Sequence, residues 1–355
     1  MPSFTSSSEI PVTGRPLPEC ALGIAAIVAL VVTLVATAAW ELQWRNFGAT
    51  PSYKNSDGLW AIERRRIDNG EGDKTVIIGS SRMFFDTQLS AWERVTGERP
   101  IQLSLEGTSP MKALQQLADD PDLTGTLVVG VTPILFFNGF AYRGDVFDHY
   151  LDEAPSQRIG QQVSMIFEPL LGFYQPDFAL FTVLERQPWP TRDGVPVRKD
   201  VRKLANFDSD RNGRLWKKVE TDPEYLALVK EIWSQNFRPL DKLPPPVLQQ
   251  QTKNRAEQLE LAVAAVEKLH ARGVRVVFVR PPSEGPFAET EAVFQPRAEA
   301  WDQLIERTGA HGIHFADHPG LQGGWLPEWS HLAGDDADRY TTELAQLYHD
   351  LPPPP

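Results

Sequence analysis

The first long apolar stretch of the chain runs from Cys20 to Trp40 and contains no charged residue. A helix of these 21 residues rises about 1.5 Å per residue, so it reaches across a bilayer core of roughly 30 Å. Trp40 and Trp44 stand where an aromatic belt at the membrane surface is expected. We therefore predict a transmembrane anchor over residues 20–42, preceded by an N-terminal tail over residues 1–19.

A cleaved signal peptide is the alternative to an anchor, because the small residues 36–38 resemble a cleavage site. The length of the apolar stretch and the preceding tail, with Arg15 as its one basic side chain, favour an uncleaved anchor. Charge leaves the orientation open, since Arg15 on one side opposes Arg45 and Lys54 on the other.

Downstream of the anchor, short apolar runs that favour strands alternate with segments of helical character. The predicted strands are residues 75–78, 101–105, 126–131, 274–279 and 313–315. The predicted helices are residues 87–95, 111–118, 254–273, 299–308 and 335–347. Because strand–helix–strand order is typical of parallel sheets, we predict an α/β domain over residues 73–350, built on a doubly wound, mostly parallel sheet.

Three segments depart from this alternation. Residues 43–72 are polar and of mixed charge, which indicates a linker or an initial helix and turn. Residues 138–250 are rich in aromatic side chains, proline and charge, and they predict a helical insertion. Residues 351–355 form a short tail ending in proline.

Composition narrows the classes of function. The chain has 47 acidic and 35 basic residues, and its net charge of −12 disfavours nucleic-acid binding because the phosphate backbone is repelled. Cys20 is the single cysteine, which excludes an intrachain disulfide and a thiolate metal cluster. It stands at the start of the apolar stretch, whereas a lipid-attachment cysteine would follow such a stretch. We expect no metal and no cofactor.

Small and polar residues follow three of the predicted strands, at 79–81, 106–108 and 130–132. Ligands of open α/β sheets gather at the carboxyl ends of the strands. Ser81 in a strand-to-helix turn would be exposed, and the N–H groups of such a turn can stabilise an oxyanion. A serine nucleophile needs a base, and His331, with Glu328 three residues before it, is the candidate.

These blocks resemble the SGNH (GDSL-like) hydrolase superfamily. The anchor, the Gly-Ser-Ser-Arg block and a His-Leu pair before the last helix are also similar to membrane-anchored SGNH-like proteins that partner membrane-bound O-acyltransferases. The resemblance implies a periplasmic soluble domain on the cytoplasmic membrane. It further implies a serine esterase or O-acyltransferase whose partners are an acyl donor, a polysaccharide or cell-envelope polymer, and a membrane-bound O-acyltransferase.

Carried over to this chain, the resemblance makes Ser81 the nucleophile, His331 the general base and Glu328 the residue that orients it. The N–H groups of Ser81 and Gly107 would form the oxyanion hole. Arg82 is expected either to bind an anionic group or to act structurally.

Two departures from the family pattern leave an inactive binding relative open. Glu328 replaces the usual aspartate, and Thr132 stands where the third block normally has asparagine, as a weaker donor. Loss of an oxyanion donor typically costs on the order of a hundredfold in rate. In a binding relative, aromatic side chains of the insertion would stack on sugars, with Trp189, Trp216 and Trp233 as candidates.

Two further groups of polar residues resemble metal sites, but their spacing favours other interpretations. His311, His314, Asp317 and His318 are close in sequence, yet their spacing matches no zinc pattern. Residues 208–213 match the start of a calcium loop, but Val219 stands where the twelfth ligand should be glutamate. A polar turn is the preferred interpretation of residues 208–213.

Overall fold

The structure, a computed structural model, describes residues 21–187, 189, 193–194, 199–200 and 202–352. The predicted tail over residues 1–19, Cys20 and residues 353–355 lie outside this part of the chain. The strands within it are β1 (Thr75–Ile78), β2 (Ile101–Gln102), β3 (Thr126–Gly130), β4 (Ala205–Phe207), β5 (Gly213–Leu215), β6 (Arg275–Arg280) and β7 (His311–His314).

The α-helices of the described residues fall into three stretches of the chain. Before the insertion they are α1 (Leu22–Phe47), α2 (Asp57–Arg66), α3 (Ser81–Asp86), α4 (Leu89–Thr96), α5 (Met111–Asp119) and α6 (Pro133–Asn138). Within it they are α7 (Asp145–Asp152), α8 (Pro155–Phe167), α9 (Leu180–Glu185), α10 (Lys217–Thr221) and α11 (Pro223–Ser234). The last four are α12 (Pro245–Ala271), α13 (Gly285–Phe294), α14 (Trp301–Thr308) and α15 (Gly334–Asp350).

Five strands form one sheet in the order β2-β1-β3-β6-β7, and every neighbouring pair is parallel. The three middle strands are rich in valine and isoleucine and are almost entirely buried, as expected for strands covered on both faces. The predicted α/β class with a mostly parallel sheet is confirmed.

Successive strand residues contribute to two separate cores. Ile77 and Val128 belong to the core that contains side chains of α4 and α15. Val76 and Leu127 belong to the other core, which contains side chains of α5, α12 and α14. Helices therefore cover both faces of the sheet, and the carboxyl ends of the parallel strands share one edge.

The segment predicted as a helical insertion, residues 138–250, contains more than helices. Besides α7 to α11 it includes the antiparallel hairpin β4–β5, whose turn is residues 208–212. Arg211 of this turn is fully buried, with a left-handed φ of 62°. Its guanidinium donates to the carbonyls of Gln102 and Ser104, at distances of 3.1 and 2.6 Å. The turn thus covers the carboxyl end of β2.

The N-terminal helix is longer than the predicted span. α1 continues to Phe47, and it is the one helix in the described part of the chain that is long and apolar enough to cross a membrane. For residues 43–72, the structure shows the end of α1 and then the initial helix, α2. Leu59 and Trp60 of α2 are buried in the main domain.

Candidate active site

The turn that holds Ser81 depends on two glycines. Ser81 is the first residue of α3, directly after β1 and Gly79-Ser80. A Cβ at Gly79 would lie 2.6 Å from the side chain of Met83, and one at Gly130 would lie 1.8 Å from it. Only glycine at both positions lets α3 sit this close to the ends of β1 and β3.

Hydrogen bonds bring the three strand ends together. The N–H of Leu105 donates to the carbonyl of Gly79 at 2.9 Å, so the chain after β2 stays paired alongside β1. The hydroxyls of Ser80 and Thr132 hydrogen-bond each other. The predicted site residues Ser81, Gly107 and Thr132 therefore belong to one edge of the sheet.

The two serines of the turn differ in environment. Ser80 is 1% exposed, and its hydroxyl is held by Thr132. Ser81 is half-buried, and its hydroxyl has no hydrogen-bond partner in the part of the chain that the structure describes. Ser81 is thus the serine whose oxygen is available for a reaction.

Glu328 and His331 form a buried pair. His331 Nδ1 lies 2.7 Å from Glu328 Oε1, which also accepts the backbone N–H of His331 at 2.8 Å. Trp233 Nε1 donates to the other carboxylate oxygen at 2.7 Å. Burial opposes ionisation of Glu328, but the facing imidazole and these hydrogen bonds hold its pKa below the usual value. A carboxylate at this position places the imidazole proton on Nδ1.

The other imidazole nitrogen is free to act as a base. His331 Nε2 is buried and has no hydrogen-bond partner among the described residues. The ring of Phe85 lies 4.8 Å from the imidazole, between ring centres. Ser81 and Phe85 are four residues apart in α3 and so share a helical face. No hydrogen bond joins Ser81 to His331 in this structure, although the imidazole packs against the face of α3 that carries the serine.

Arg82 connects α3 to the histidine loop. It is 1% exposed, and its Nε donates to Ser330 Oγ at 3.1 Å. Its Nη1 donates to Glu291 at 2.6 Å, and Arg280 binds the other oxygen of the same carboxylate at 2.6 Å. Of the two roles open to Arg82, these contacts describe the structural one, in which it fixes α3 against the residue before His331.

Asp86 is a site residue that the sequence analysis missed. Its Oδ1 accepts the N–H of Leu332 at 2.9 Å, whereas Oδ2 has no partner in the described part of the chain. Burial raises the pKa of this carboxyl to about 7, against the opposing influence of the nearby His331. An aspartate near the end of a six-residue helix carries no pattern that would have identified it.

Gly107 lies in a loop closed by the start of the insertion. Its φ of 60° is a left-handed conformation that favours glycine. Its carbonyl accepts the N–H of Tyr142 at 3.2 Å, and Arg143 binds the neighbouring Glu106 at 2.6 Å. The N–H of Gly107 has no partner among the described residues and remains available as a donor.

Backbone strain marks the loop between Glu328 and His331. Trp329 has φ of 72°, which is uncommon for a bulky residue. Its carbonyl accepts the N–H of Glu284 at 2.9 Å, and Lys230 Nζ lies 4.9 Å from the centre of its ring. Strain of this kind persists where the surrounding structure enforces it, often at functional sites.

The three tryptophans that were candidates for sugar stacking lie in different environments. Trp216 is 2% exposed and packs in a core with Tyr225, so its proposed role was wrong. Trp233 is committed to Glu328 through its indole N–H. Trp189 is 59% exposed and keeps a free surface.

The other groups singled out from the sequence have structural contacts. His314 Nδ1 accepts the N–H of Ala316 at 3.1 Å, and burial lowers the pKa of this imidazole to about 4. Asp317 is paired with Arg297. Within the described residues, no group of three or more histidine, cysteine or acidic side chains is arranged to hold a metal ion.

A cavity of about 430 Å³ lies away from this constellation, between the end of α1 and the insertion. Trp44, Phe178, Lys203 and Tyr225 are among its lining residues. None of the predicted site residues lines it.

No protein-family model matches this chain, and no curated protein matches it significantly.

Proposed function

We propose that this protein is a membrane-anchored serine acyl esterase or O-acyltransferase of SGNH type, with a doubly wound sheet and a Ser81–His331–Glu328 triad. Its substrate class is an extracytoplasmic polysaccharide or cell-envelope polymer, and a membrane-bound O-acyltransferase is its partner. The candidate membrane helix α1 supports the anchor, and the periplasmic placement of the soluble domain belongs to the same proposal.

One observation carries the catalytic part of the proposal. A buried imidazole is held by a buried carboxylate through Nδ1, while its Nε2 has no partner in the described residues and lies beside the helix that begins with Ser81. Leaving a buried nitrogen unpaired costs about 1–3 kcal/mol, which is reasonable where the nitrogen must accept a proton during a reaction.

In the proposed reaction these residues act as follows. Ser81 Oγ attacks the acyl carbonyl carbon while its proton passes to His331 Nε2. The N–H groups of Ser81 and Gly107 stabilise the oxyanion. The C–O bond to the leaving alcohol then breaks, and His331 returns the proton to that alcohol. In the second half, a sugar hydroxyl or water gives its proton to Nε2 and attacks the acyl-serine, which releases Ser81.

Acylation of the full-length protein in mild detergent tests this proposal. With p-nitrophenyl acetate, the wild type should release a burst of p-nitrophenolate equivalent to the enzyme, and Ser81→Ala should abolish it. Ser80→Ala is the matched control, because it removes a neighbouring hydroxyl that is already bound to Thr132. A burst that persists in folded Ser81→Ala would reject Ser81 as the nucleophile.

A second candidate function is a non-catalytic partner of a membrane-bound O-acyltransferase. The hydroxyl of Thr132, which replaces the family's asparagine, is bound to Ser80, and Ser81 is not hydrogen-bonded to His331. A double variant, Ser81→Ala with His331→Ala, separates the two functions in cells that make the protein. Unchanged acyl content of the envelope polymer supports the binding role, and loss of acylation with normal protein levels supports the enzyme.

A further inference from the structure

An apolar surface lies on α8 and α9 of the insertion. Val163, Ile166 and Phe167 lie on one face of α8, and Leu170 follows in the turn after the helix; these four side chains are between 48% and 63% exposed. Leu180 and Phe181 at the start of α9 are 53% and 77% exposed. These six residues are called the α8–α9 apolar face.

The amphipathic order of α8 is inverted. Gln161 accepts a hydrogen bond from Ser56 at 2.8 Å, and buried Glu168 accepts the N–H of Lys54 at 2.9 Å and the hydroxyl of Ser164 at 2.6 Å. The polar side chains of Gln161 and Ser164 thus face the protein, whereas Val163, Ile166 and Phe167 face outward. A helix at the surface of a water-soluble domain has the opposite arrangement, which indicates an apolar surrounding for α8.

Both segments adjoin the end of the candidate anchor. Trp40 Nε1 donates to the carbonyl of Phe178, two residues before Leu180, at 3.1 Å. Arg45 Nη2 donates to the carbonyl of Leu170 at 3.1 Å. Trp40 and Arg45 mark the height at which α1 leaves a bilayer core, because tryptophan and arginine favour the interface. The α8–α9 apolar face begins at that height.

Charge also favours a lipid surface over an acidic or basic protein partner. Between residues 159 and 170 the one charged side chain is Glu168, which is directed into the protein, and residues 178–184 carry none. Interfacial helices bury their apolar face about 5–10 Å into the boundary between headgroups and acyl chains. With no charge on this surface, apolar burial alone provides the attraction.

We propose that the α8–α9 apolar face lies in the interface of the bilayer and forms a second membrane contact beside the anchor. This second contact holds the soluble domain in one orientation about α1. A single membrane helix with a short connection would not fix that orientation. This inference rests on the membrane anchor of the proposed function and is independent of the catalytic triad.

Depth-dependent fluorescence quenching of the full-length protein in phosphatidylcholine nanodiscs, with no other protein present, tests this contact. A single bimane-labelled cysteine is introduced into a Cys20→Ser background at Val163, with Val293→Cys on α13 as the matched control. Both valines are exposed on helices, at 48% and 41%. Val31→Cys in α1 reports separately on the anchor.

We expect lipids with a spin label near the headgroup to quench the label at residue 163 severalfold more strongly than the label at residue 293. Equal, weak quenching at these two positions, with strong quenching at residue 31 by lipids that carry the spin label deep in the acyl chain, would overturn the second contact and leave the anchor intact. Absence of quenching at residue 31 by those deep-labelled lipids would overturn both. If residue 163 is unquenched in nanodiscs but crosslinks to an integral membrane protein in native membranes, the face binds that protein and the lipid contact is wrong.

Discussion

Replacement of Asp86 by asparagine should change how the stability of this protein depends on pH. Asp86 is fully buried, and its pKa in the folded state is about 7, whereas an unfolded chain has a pKa of about 3.9 for aspartate. Because the folded pKa is the higher one, the unfolded state releases the proton first as pH rises. The contribution of Asp86 to stability is therefore greatest below about pH 4 and falls until about pH 7, where Asp86 ionises in the folded state as well.

The magnitude follows from the difference of about 3 pKa units, which corresponds to about 4 kcal/mol of lost stability above pH 7. Asp86→Asn keeps an acceptor for the N–H of Leu332 but cannot ionise. Relative to the wild type, the variant should gain about 3 kcal/mol of unfolding free energy between pH 5 and pH 8, since about two of the three units lie in that window.

Urea unfolding of full-length wild type and Asp86→Asn in mild detergent, followed by near-UV circular dichroism, measures this difference. The contributions of other titrating groups to the stability difference cancel, because the same two proteins are compared at each pH. The variant is expected to approach or exceed the wild type at pH 8 and to lose that advantage at pH 5. An equal stability difference at both pH values would refute the argument, because it would mean that folding does not perturb the Asp86 pKa.

Three further predictions concern the supports of the site. Arg82→Ala should lower the free energy of unfolding by about 3–5 kcal/mol in urea, because the buried Glu291 loses one of its two arginine partners. A decrease below about 1 kcal/mol would contradict a structural role for Arg82. Trp233→Phe should lower kcat for p-nitrophenyl acetate with little change in KM, because Glu328 loses the indole N–H that donates to its carboxylate. An unchanged kcat would show that this hydrogen bond does not matter for acyl transfer. Gly130→Ala should lower thermal stability, because a Cβ there collides with α3, and a wild-type Tm would show that α3 can move away without cost.

The strands were the best predicted elements, because continuous valine and isoleucine runs identify buried parallel strands. β1 has the predicted bounds, residues 75–78. β7 starts two residues before the predicted 313–315, at His311, because backbone pairing with β6 includes a histidine and a glycine with no apolar signal. α12 starts at Pro245 and not at residue 254, since proline is accepted in the first turn of a helix.

The sequence predicted only those parts of the candidate site that depend on residues close together in the chain. The Glu328–His331 pair is local, so its spacing was visible in the chain. The hydrogen bond from Trp233 to Glu328 could not be predicted from the sequence, because the two residues are 95 positions apart in the chain. Asp86 and the pairing of Arg82 with Glu291 likewise depend on tertiary packing, which no local pattern encodes.

The buried charges around α3 share one physical arrangement. Glu291 lies between Arg82 and Arg280; burial opposes its ionisation, but these two cations hold its pKa below the usual value. Its stabilising effect is therefore present above the unfolded pKa and is lost as pH falls through the lower folded one. Asp86 forms no direct ion pair among the described residues, and burial outweighs the influence of the nearby His331 and Arg82, so its pKa shifts in the opposite direction.

Covalent labelling of the full-length protein by a fluorophosphonate tests the central claim most directly, because the probe reacts with serines that a nearby base activates. We predict labelling of the wild type and of Ser80→Ala, and loss of labelling in both Ser81→Ala and His331→Ala. The same label on folded Ser81→Ala, or no label on the folded wild type, would contradict a Ser81–His331 catalytic pair.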